Sequence, residues 1–366
     1  MGLTYLVYPG AHHTRFHHAL GCMHLMSEAI KVLRFKDVQI SEDESTALLL
    51  AILLHDIGHG PFSHAMEHSI VEGITHEEIS LKFMNVLNDE FDGKLSLAIK
   101  IFKGDYHRYF FNQLISSQLD MDRADYLKRD SFYTGVAEGN VNSERIITML
   151  NVVDDELVIE EKGIYSVEKF LLARRLMYWQ VYLHKTSLVA ESLLVRVLKR
   201  AKELVQNGVL VEASKPFDYF LKHKIDDTNF SATELETFSL LDDYDIVAAM
   251  KSWMTHDDVV LSNLSKMIIN RELLKVKLTK EAISDEDFEK LKQQTKEKYN
   301  LSDHEVGYFV FKSAVSNQAY DNQNSGIKIL LKTEEVIDVA EASDHLNLKA
   351  LSKPVKKYFV CYPKDN

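Results

Sequence analysis

The 366-residue sequence has few cysteines and no long apolar run, and each shortage excludes a class of protein. Its two cysteines, Cys22 and Cys361, cannot build a disulfide framework and are typical of a reducing compartment. The longest apolar run, residues 47–54, is far shorter than the roughly 20 residues that a membrane helix needs. The first residues show no signal-peptide pattern. We therefore expect a cytoplasmic protein that has no membrane partner.

Basic residues are in the minority, since 43 lysines and arginines stand against 55 aspartates and glutamates. The formal net charge of −12 argues against a protein that coats nucleic acid or binds anionic membrane surfaces. An anionic substrate would then require a local cluster of basic side chains. With 46% hydrophobic and 27% charged residues, the composition is that of a globular protein with a sizeable core.

Glycine and proline are also scarce, at 14 and 5 residues, and apolar side chains recur at helical spacing over long stretches. This pattern predicts a mainly α protein with a helical core over residues 1–205, a helical extension over 206–300 and a small α+β region over 301–366. Residues 155–166 alternate around Lys162-Gly163, which predicts a short β-hairpin. Ser284 is expected to cap a polar helix. The apolar periodicity predicts helices over residues 19–33, 44–55, 77–87, 144–152, 167–205 and 246–254.

The segment LLHDIGHGPFSH, residues 53–64, places metal-capable side chains at the end of an apolar helix. On a helix, His55 and His59 share one face, and Asp56 can reach the same point where glycines and a proline make the helix end irregular. Imidazole and carboxylate ligands suit Fe, Mn, Co, Ni or Zn, and Mg less well. Two neighbouring ligands hold an ion poorly, so further ligands must come from elsewhere. Two segments offer them, residues 12–21 and 117–130.

Four segments occur in order: YPGAHHTRFHHALG, LLHDIGHGPFSH, LDMDRADYLKRD and YLHK. Between about residue 5 and residue 185 the sequence resembles the HD superfamily of metal-dependent phosphohydrolases. The similarity is to its deoxynucleoside triphosphate triphosphohydrolases, which include dGTPases and the human enzyme that adds a SAM domain. The resemblance implies a helical HD core, a divalent transition metal, and hydrolysis of a dNTP to deoxynucleoside and triphosphate. It also implies a homo-oligomer, either dimer or tetramer, and for some members a nucleotide activator.

Position by position, the resemblance implies roles for individual residues. His59 matches the catalytic histidine, and Glu67 stands where the family usually has an aspartate partner. The metal ligands implied are His18, His55, Asp56 and Asp122. The substrate-binding residues implied are His64 and His76 around the phosphates, Arg15, Arg174 and Lys185 as a cationic clamp, and Tyr126, Asp130 and Tyr182 around the sugar.

Other functions remain open on the sequence. Another nucleotide phosphatase or phosphodiesterase of the superfamily would use the same metal but would leave the polyphosphate clamp without a role. A nucleotide-binding regulatory protein would have no need of His59. The family also carries an upstream helix that touches the sugar and base, whereas this sequence begins at Met1, and we expect the metal site to be independent of that helix. Asp125 could be a helix cap or the partner of Arg123 or Lys128. Further histidines are expected at the surface or behind the site: His12, His13, His17 and His68.

Overall fold

A computed structural model describes residues 1–67, 69–321, 326–344 and 351–364. The protein is mainly helical, as predicted, and no helix in these ranges combines the length and the apolar character needed to cross a membrane. The helices are α1 (Arg15–Phe35), α2 (Glu42–Leu54), α3 (His64–Glu67), α4 (His76–Glu90), α5 (Ser96–Lys103), α6 (Tyr109–Ile115), α7 (Met121–Thr134), α8 (Ser143–Thr148), α9 (Ile164–Met177), α10 (Lys185–Gln206), α11 (Lys215–Lys222), α12 (Ala232–Ser239), α13 (Asp243–Trp253), α14 (Val259–Ile269), α15 (Asp285–Tyr299), α16 (Val306–Phe309) and α17 (Val339–Ala342).

The strands form two small sheets and one isolated pair. One sheet has the order β2-β3-β7-β8, in which β3 and β7 are parallel and the other neighbours antiparallel. The second is antiparallel, with the order β5-β9-β6, and β1 pairs with β4 in parallel. The strands are β1 (Val71–Glu72), β2 (Leu150–Val153), β3 (Glu156–Glu160), β4 (Ile225–Asp226), β5 (Lys275–Thr279), β6 (Phe311–Asn317), β7 (Lys328–Leu330), β8 (Val336–Asp338) and β9 (Val355–Tyr362).

The predicted hairpin exists, but its turn lies earlier in the chain than predicted. Strands β2 and β3 are joined at Asp154 and Asp155, both of which have positive φ angles, of 51° and 61°. Aspartate tolerates this left-handed conformation, which suits the right-handed twist of a tight hairpin. The prediction centred on Lys162-Gly163 was therefore wrong, because that dipeptide lies in the 3-10 turn that leads into α9. The helix predicted over residues 144–152 likewise ends at Thr148.

The single helix predicted over residues 167–205 is interrupted. A π-helical turn at Tyr178–Tyr182 follows α9, and α10 then starts afresh with His184 as its N-cap. The His184 Nδ1 atom accepts a hydrogen bond from the Thr186 amide at 3.2 Å. Apolar periodicity continues through the interruption, so the sequence pattern carries no sign of it. The polar helix α15 begins as predicted, with the Ser284 hydroxyl accepting from the Asp287 amide at 3.1 Å.

Two hydrophobic cores support these elements. The first lies beneath α1, α2, α5 to α7 and α9, and the second lies beneath α10 to α14 and the sheet of β5, β9 and β6. The segment from α3 to the start of α4 packs on the second core. Strand pairing also crosses the predicted domain boundaries, because β7 joins β3 and β9 joins β5. The boundaries at residues 205 and 300 stay predictions.

Candidate metal centre

Four predicted ligands converge from three helices at one end of the first core. His18 lies in the first turn of α1, Asp122 in the first turn of α7, and His55 and Asp56 directly follow α2. The His18 Nε2 atom is 3.1 Å from Asp122 Oδ1 and 3.9 Å from Asp56 Oδ2. The His55 Nε2 atom is 3.4 Å from Asp56 Oδ1 and 3.6 Å from Asp122 Oδ1. Two imidazole nitrogens and two carboxylates therefore face one point.

The two imidazoles are oriented by contacts on their outer nitrogens. His18 Nδ1 is 2.7 Å from Asp125 Oδ2, and His55 Nδ1 is 2.7 Å from the carbonyl oxygen of Ile52. These contacts turn both Nε2 atoms inward, as outer-shell partners do at metal sites. The His55 Nε2 atom is buried and has no hydrogen-bond partner among the residues that the structure describes. A bound cation would satisfy this orphaned nitrogen, so the residues present fit a divalent metal.

The electrostatics of the cluster favour bound positive charge. Burial lowers the pKa of His18, but hydrogen bonds to Asp122 and Asp125 outweigh it and raise that pKa to about 12. Burial raises the pKa of Asp122, yet its hydrogen bond with His18 and the adjacent His55 imidazole hold that pKa well below its usual range. The carboxylates thus remain ionised inside the protein and bind whatever cation is available, whether protons on the imidazoles or a metal ion.

A close helix contact places the carboxylate behind His18. Asp125 also accepts hydrogen bonds from Arg129 Nε at 2.7 Å and Nη2 at 2.8 Å. Both side chains lie against Gly21 of α1, where a β-carbon would overlap the Asp125 carboxylate and the Arg129 guanidinium. A larger residue at position 21 would therefore displace these two side chains. The sequence left Asp125 ambiguous, although its position three residues after Asp122 puts both carboxylates on one face of α7.

A second group of side chains adjoins the metal cluster through Asp56. His59 Nε2 is 3.5 Å from Asp56 Oδ1, and His59 Nδ1 is 3.8 Å from Glu67 Oε1. The ring of His76 stacks on that of His59 with centroids 3.8 Å apart, and its Nδ1 is 2.9 Å from Glu67 Oε1. Burial lowers the pKa of His59 to about 4. The predicted catalytic pair and one predicted phosphate-binding histidine therefore lie together beside the metal cluster.

Gly58 allows this second group to form. A β-carbon at Gly58 would overlap the His76 carbonyl oxygen and the Ser80 amide at the start of α4. The Gly58 amide instead donates a hydrogen bond to Ser80 Oγ at 2.9 Å, and that hydroxyl donates to the His55 carbonyl at 2.8 Å. Thr75 caps α4, so His76 begins the helix directly against the metal cluster.

Arginines supply the positive charge around the site. Arg15 Nη1 donates to Asp56 Oδ2 at 2.6 Å, and Nη2 donates to Ser63 Oγ. In the described part of the chain, the buried Nε and Nη1 atoms of Arg174 have no hydrogen-bond partner. The Nε atom of Arg123 also has none there, although its Nη1 pairs with Asp120. Burial raises the pKa of the Tyr126 hydroxyl, whereas the nearby charges of Arg174 and Arg123 lower it and that of Asp122 raises it. Arg123 was not among the predicted site residues, although it directly follows a predicted ligand.

The predicted sugar-binding residues also lie together. Tyr182 donates from its hydroxyl to Asp130 Oδ2 at 2.7 Å, and its ring meets that of Tyr126 edge to face at 6.1 Å. His13 Nε2 is 2.7 Å from the other oxygen of Asp130, Oδ1. His13 was expected at the surface or behind the site, and the histidine-rich segment around it gave no signal that it would contact Asp130.

Two predicted residues are not joined to this cluster. Lys185 is exposed at the first residue of α10, and in the described part of the chain it forms no ion pair with the residues above. Its role stays a prediction. His64 begins α3, but its side chain lies outside the described residues, and so does His68.

Comparison with known families places these residues in two matched spans. A family model described as HD domain matches residues 15–130, and one described as HD associated region matches residues 141–215. Together the spans cover more than half of the chain. They contain every metal-binding, catalytic and substrate-binding residue predicted from the sequence.

Similarity to individual proteins supports the family match. The crystal structure of a phosphohydrolase from Bacteroides thetaiotaomicron is 52% identical, covers 99% of this chain and 91% of that chain, and superposes with a TM-score of 0.96. The uncharacterized protein YwfO of Bacillus subtilis is 34% identical over 75% of this chain and 63% of its own length. A deoxynucleoside triphosphate triphosphohydrolase SAMHD1 homolog of Dictyostelium discoideum is 28% identical over 59% of this chain and 46% of that protein. The chain spans less than two thirds of the length of these two curated relatives.

Proposed function

This chain belongs to the HD domain family, and from that premise we propose that it is a metal-dependent phosphohydrolase that splits a dNTP into deoxynucleoside and triphosphate. One observation carries the proposal. The four-ligand cluster, with its orphaned His55 Nε2 atom, lies close to Arg174, whose buried Nε and Nη1 atoms have no hydrogen-bond partner among the described residues. A guanidinium with unmet buried donors implies an anionic ligand, because leaving such donors unpaired is costly.

His18, His55, Asp56 and Asp122 would hold the metal, for which Mn, Fe, Co, Ni or Zn suits the donor set and Mg is the harder alternative. When bound, a divalent metal supplies a Lewis acid that polarises a phosphoryl oxygen.

The chain's own residues would do the remaining work. Arg123 and Arg174 would bind the phosphate oxygens through their free N–H groups, and Arg15 would add its charge from the side of Asp56. His59 lies between Asp56 and Glu67, and with its lowered pKa the neutral imidazole can donate a hydrogen bond to a phosphate oxygen, or take up a proton and pass it to the leaving oxygen. Stacking on His76 keeps the ring of His59 in that orientation.

The deoxynucleoside assignment is supported by the sugar-pocket residues and by a relative. Asp130 accepts hydrogen bonds from Tyr182 and its neighbour His13, and a sugar hydroxyl could join this network. The tyrosine rings beside it leave an apolar wall suited to a deoxyribose face. The Dictyostelium relative is named as a deoxynucleoside triphosphate triphosphohydrolase.

Product identification tests the proposal. The purified protein would be given Mn²⁺ and the four dNTPs, singly and mixed, and the products separated by ion-exchange chromatography. Inorganic triphosphate together with deoxynucleoside is the expected result. Orthophosphate or pyrophosphate would instead move the chain to another phosphatase or phosphodiesterase reaction of the family. Absence of any product would favour a nucleotide-binding regulatory protein.

Alanine variants of the ligands provide the matched control. Asp122→Ala and His55→Ala should abolish hydrolysis, whereas Asp89→Ala, an exposed acidic residue at the end of α4, should leave it unchanged. Unaltered hydrolysis in Asp122→Ala would refute the assigned metal site.

The remaining expectations concern partners and location. A rate with mixed dNTPs that exceeds the sum of the single rates would support a nucleotide activator. Light scattering during size-exclusion chromatography would measure the molar mass and so test the predicted dimer or tetramer. A cytoplasmic location, where dNTPs occur, fits the proposed substrate.

A further inference from the structure

A second cavity lies where α10 passes the paired strands β1 and β4, and it shares no lining residue with the metal cluster. Its volume is about 410 Å³. Three lysines line it: Lys199 and Lys202 come from successive turns of α10, and Lys224 precedes β4. Such a concentration of positive charge is unusual in a chain with a net charge of −12.

Lys202 is the central residue of this cavity. Its side chain is buried, with the whole residue only 8% exposed, and its Nζ donates one hydrogen bond to the carbonyl of Ile70 at 2.7 Å. An ammonium group has three N–H donors, and the described residues provide no second acceptor for it. Burial lowers the pKa of Lys202; the charge of Glu72 acts in the opposite direction, and the charges of Lys224 and Lys199 lower the pKa further. The buried ammonium therefore has unmet donors beside an open cavity.

The acidic residues nearby do not neutralise this charge. Glu203 already accepts hydrogen bonds from Arg200 Nη1 at 2.8 Å and from the Tyr308 hydroxyl at 2.7 Å. Within the described ranges, neither Lys199 nor Lys224 has a carboxylate within ion-pair distance. Glu72 is then the single acidic lining residue left to offset three ammonium groups, and its side chain is exposed.

We propose that this cavity binds a small phosphate-bearing anion. The unmet donors of Lys202 would reach its oxygens from the buried side, and Lys199 and Lys224 would flank it from the rim. The size of the cavity suits an inorganic phosphate, a pyrophosphate or the phosphate end of a larger molecule. This binding does not depend on the proposed hydrolysis.

Anion binding in the cavity should also affect the catalytic segment, residues 67–70, which begins at Glu67. Ile70 lies three residues after Glu67 and directly before β1, and its carbonyl is held by Lys202. An anion bound to the remaining donors of Lys202 would fix the ammonium group beside that carbonyl. Binding would therefore strengthen the Ile70 contact and stabilise the backbone that carries Glu67.

Calorimetric titration of the full-length chain with pyrophosphate tests the site. The double variant Lys199→Gln/Lys224→Gln should lose one binding event per chain or bind about tenfold more weakly at it. Its matched control is Lys251→Gln/Lys290→Gln, which neutralises two exposed lysines on α13 and α15 and should bind as the wild type does. Both charge variants replace exposed side chains, so circular dichroism should show unchanged folding.

The outcomes separate the proposals. Pyrophosphate binding that is unchanged in the Lys199→Gln/Lys224→Gln variant, or that disappears entirely in His55→Ala, would overturn the cavity as an anion site. Hydrogen exchange at residues 69–73 provides the second readout, and pyrophosphate should slow it in the wild type but not in the double variant. Unchanged exchange with binding intact would overturn the coupling to the catalytic segment while supporting the anion site.

Discussion

The replacement Asp125→Asn tests how the protein holds His18, a proposed metal ligand, in place. The Asp125 carboxylate is 2.7 Å from His18 Nδ1 and accepts two hydrogen bonds from Arg129. Asparagine has almost the same shape, but it is neutral. One of the His18 and Arg129 nitrogens that now face carboxylate oxygens would then face the amide N–H of asparagine. The His18 imidazole would therefore lose part of its orientation and basicity.

The expected loss can be worked from these contacts. Removing an outer-shell partner of a metal-binding histidine typically weakens metal affinity by about 10 to 100 times, or ~1.4 to ~2.7 kcal/mol. We expect Asp125→Asn to fall in this range, because Asp125 is the carboxylate that contacts the outer nitrogen of His18. The loss of stability without metal should be smaller, since Arg129 keeps partial access to water.

Metal affinity is measured by competition with a graded series of chelators, with the bound metal read by mass spectrometry. Asp89→Asn, an exposed change of the same type on α4, is the control. Hydrolysis at saturating metal should recover most of the wild-type rate. The reasoning is refuted if Asp125→Asn holds metal as tightly as the control and nevertheless loses activity at saturating metal.

Three further changes have defined outcomes. Gly58→Ala should destabilise the protein by about 1 to 3 kcal/mol in chemical denaturation and impair hydrolysis, because the added methyl overlaps the start of α4; a variant of wild-type stability would contradict this contact. Tyr182→Phe removes the donor to Asp130 and should raise KM for nucleotide about tenfold with unchanged metal content, whereas unchanged KM would exclude a role in substrate binding. Hydrogen bonds from the hydroxyls of Ser231 and Tyr219 lower the pKa of Glu234 from 4.5 to about 2. Glu234 therefore stabilises the fold above pH 4.5, and the Tm difference between wild type and Glu234→Gln should shrink as the pH falls from about 5 towards 2; a constant difference would show that the carboxylate charge is irrelevant.

Much of the site was predictable because its residues lie in short segments with unmistakable chemistry. His55, Asp56 and His59 follow an apolar helix, and Asp122 lies in a second segment that resembles the same family. The structure brings these residues together with His18. Asp125 and His13 could not be assigned in the same way, because their contacts are with residues 107 and 117 positions away in the chain.

The fold also contains some features that the sequence predicted and others that it did not. Helices α1, α2, α4 and α13 follow the apolar periodicity, since local spacing determines which face of a helix is buried. The apolar periodicity does not predict the interruption between α9 and α10 or the pairing of β3 with β7, because both depend on residues that are distant in the sequence. Tyr182 illustrates the consequence, since the π-helical turn that carries it brings its hydroxyl to Asp130.

The amino-acid sequence by itself determined the helical class, the helix caps and the types of side chain available for metal and phosphate. Only the tertiary structure decided which of them meet. His18 and Asp122 are 104 residues apart and come within 3.1 Å because α1 and α7 pack side by side in the first core. Lys202 likewise donates a hydrogen bond to the carbonyl of Ile70, which lies 132 positions away in the sequence. Local propensity acts over a few residues, whereas the packing that creates a site joins positions throughout the chain.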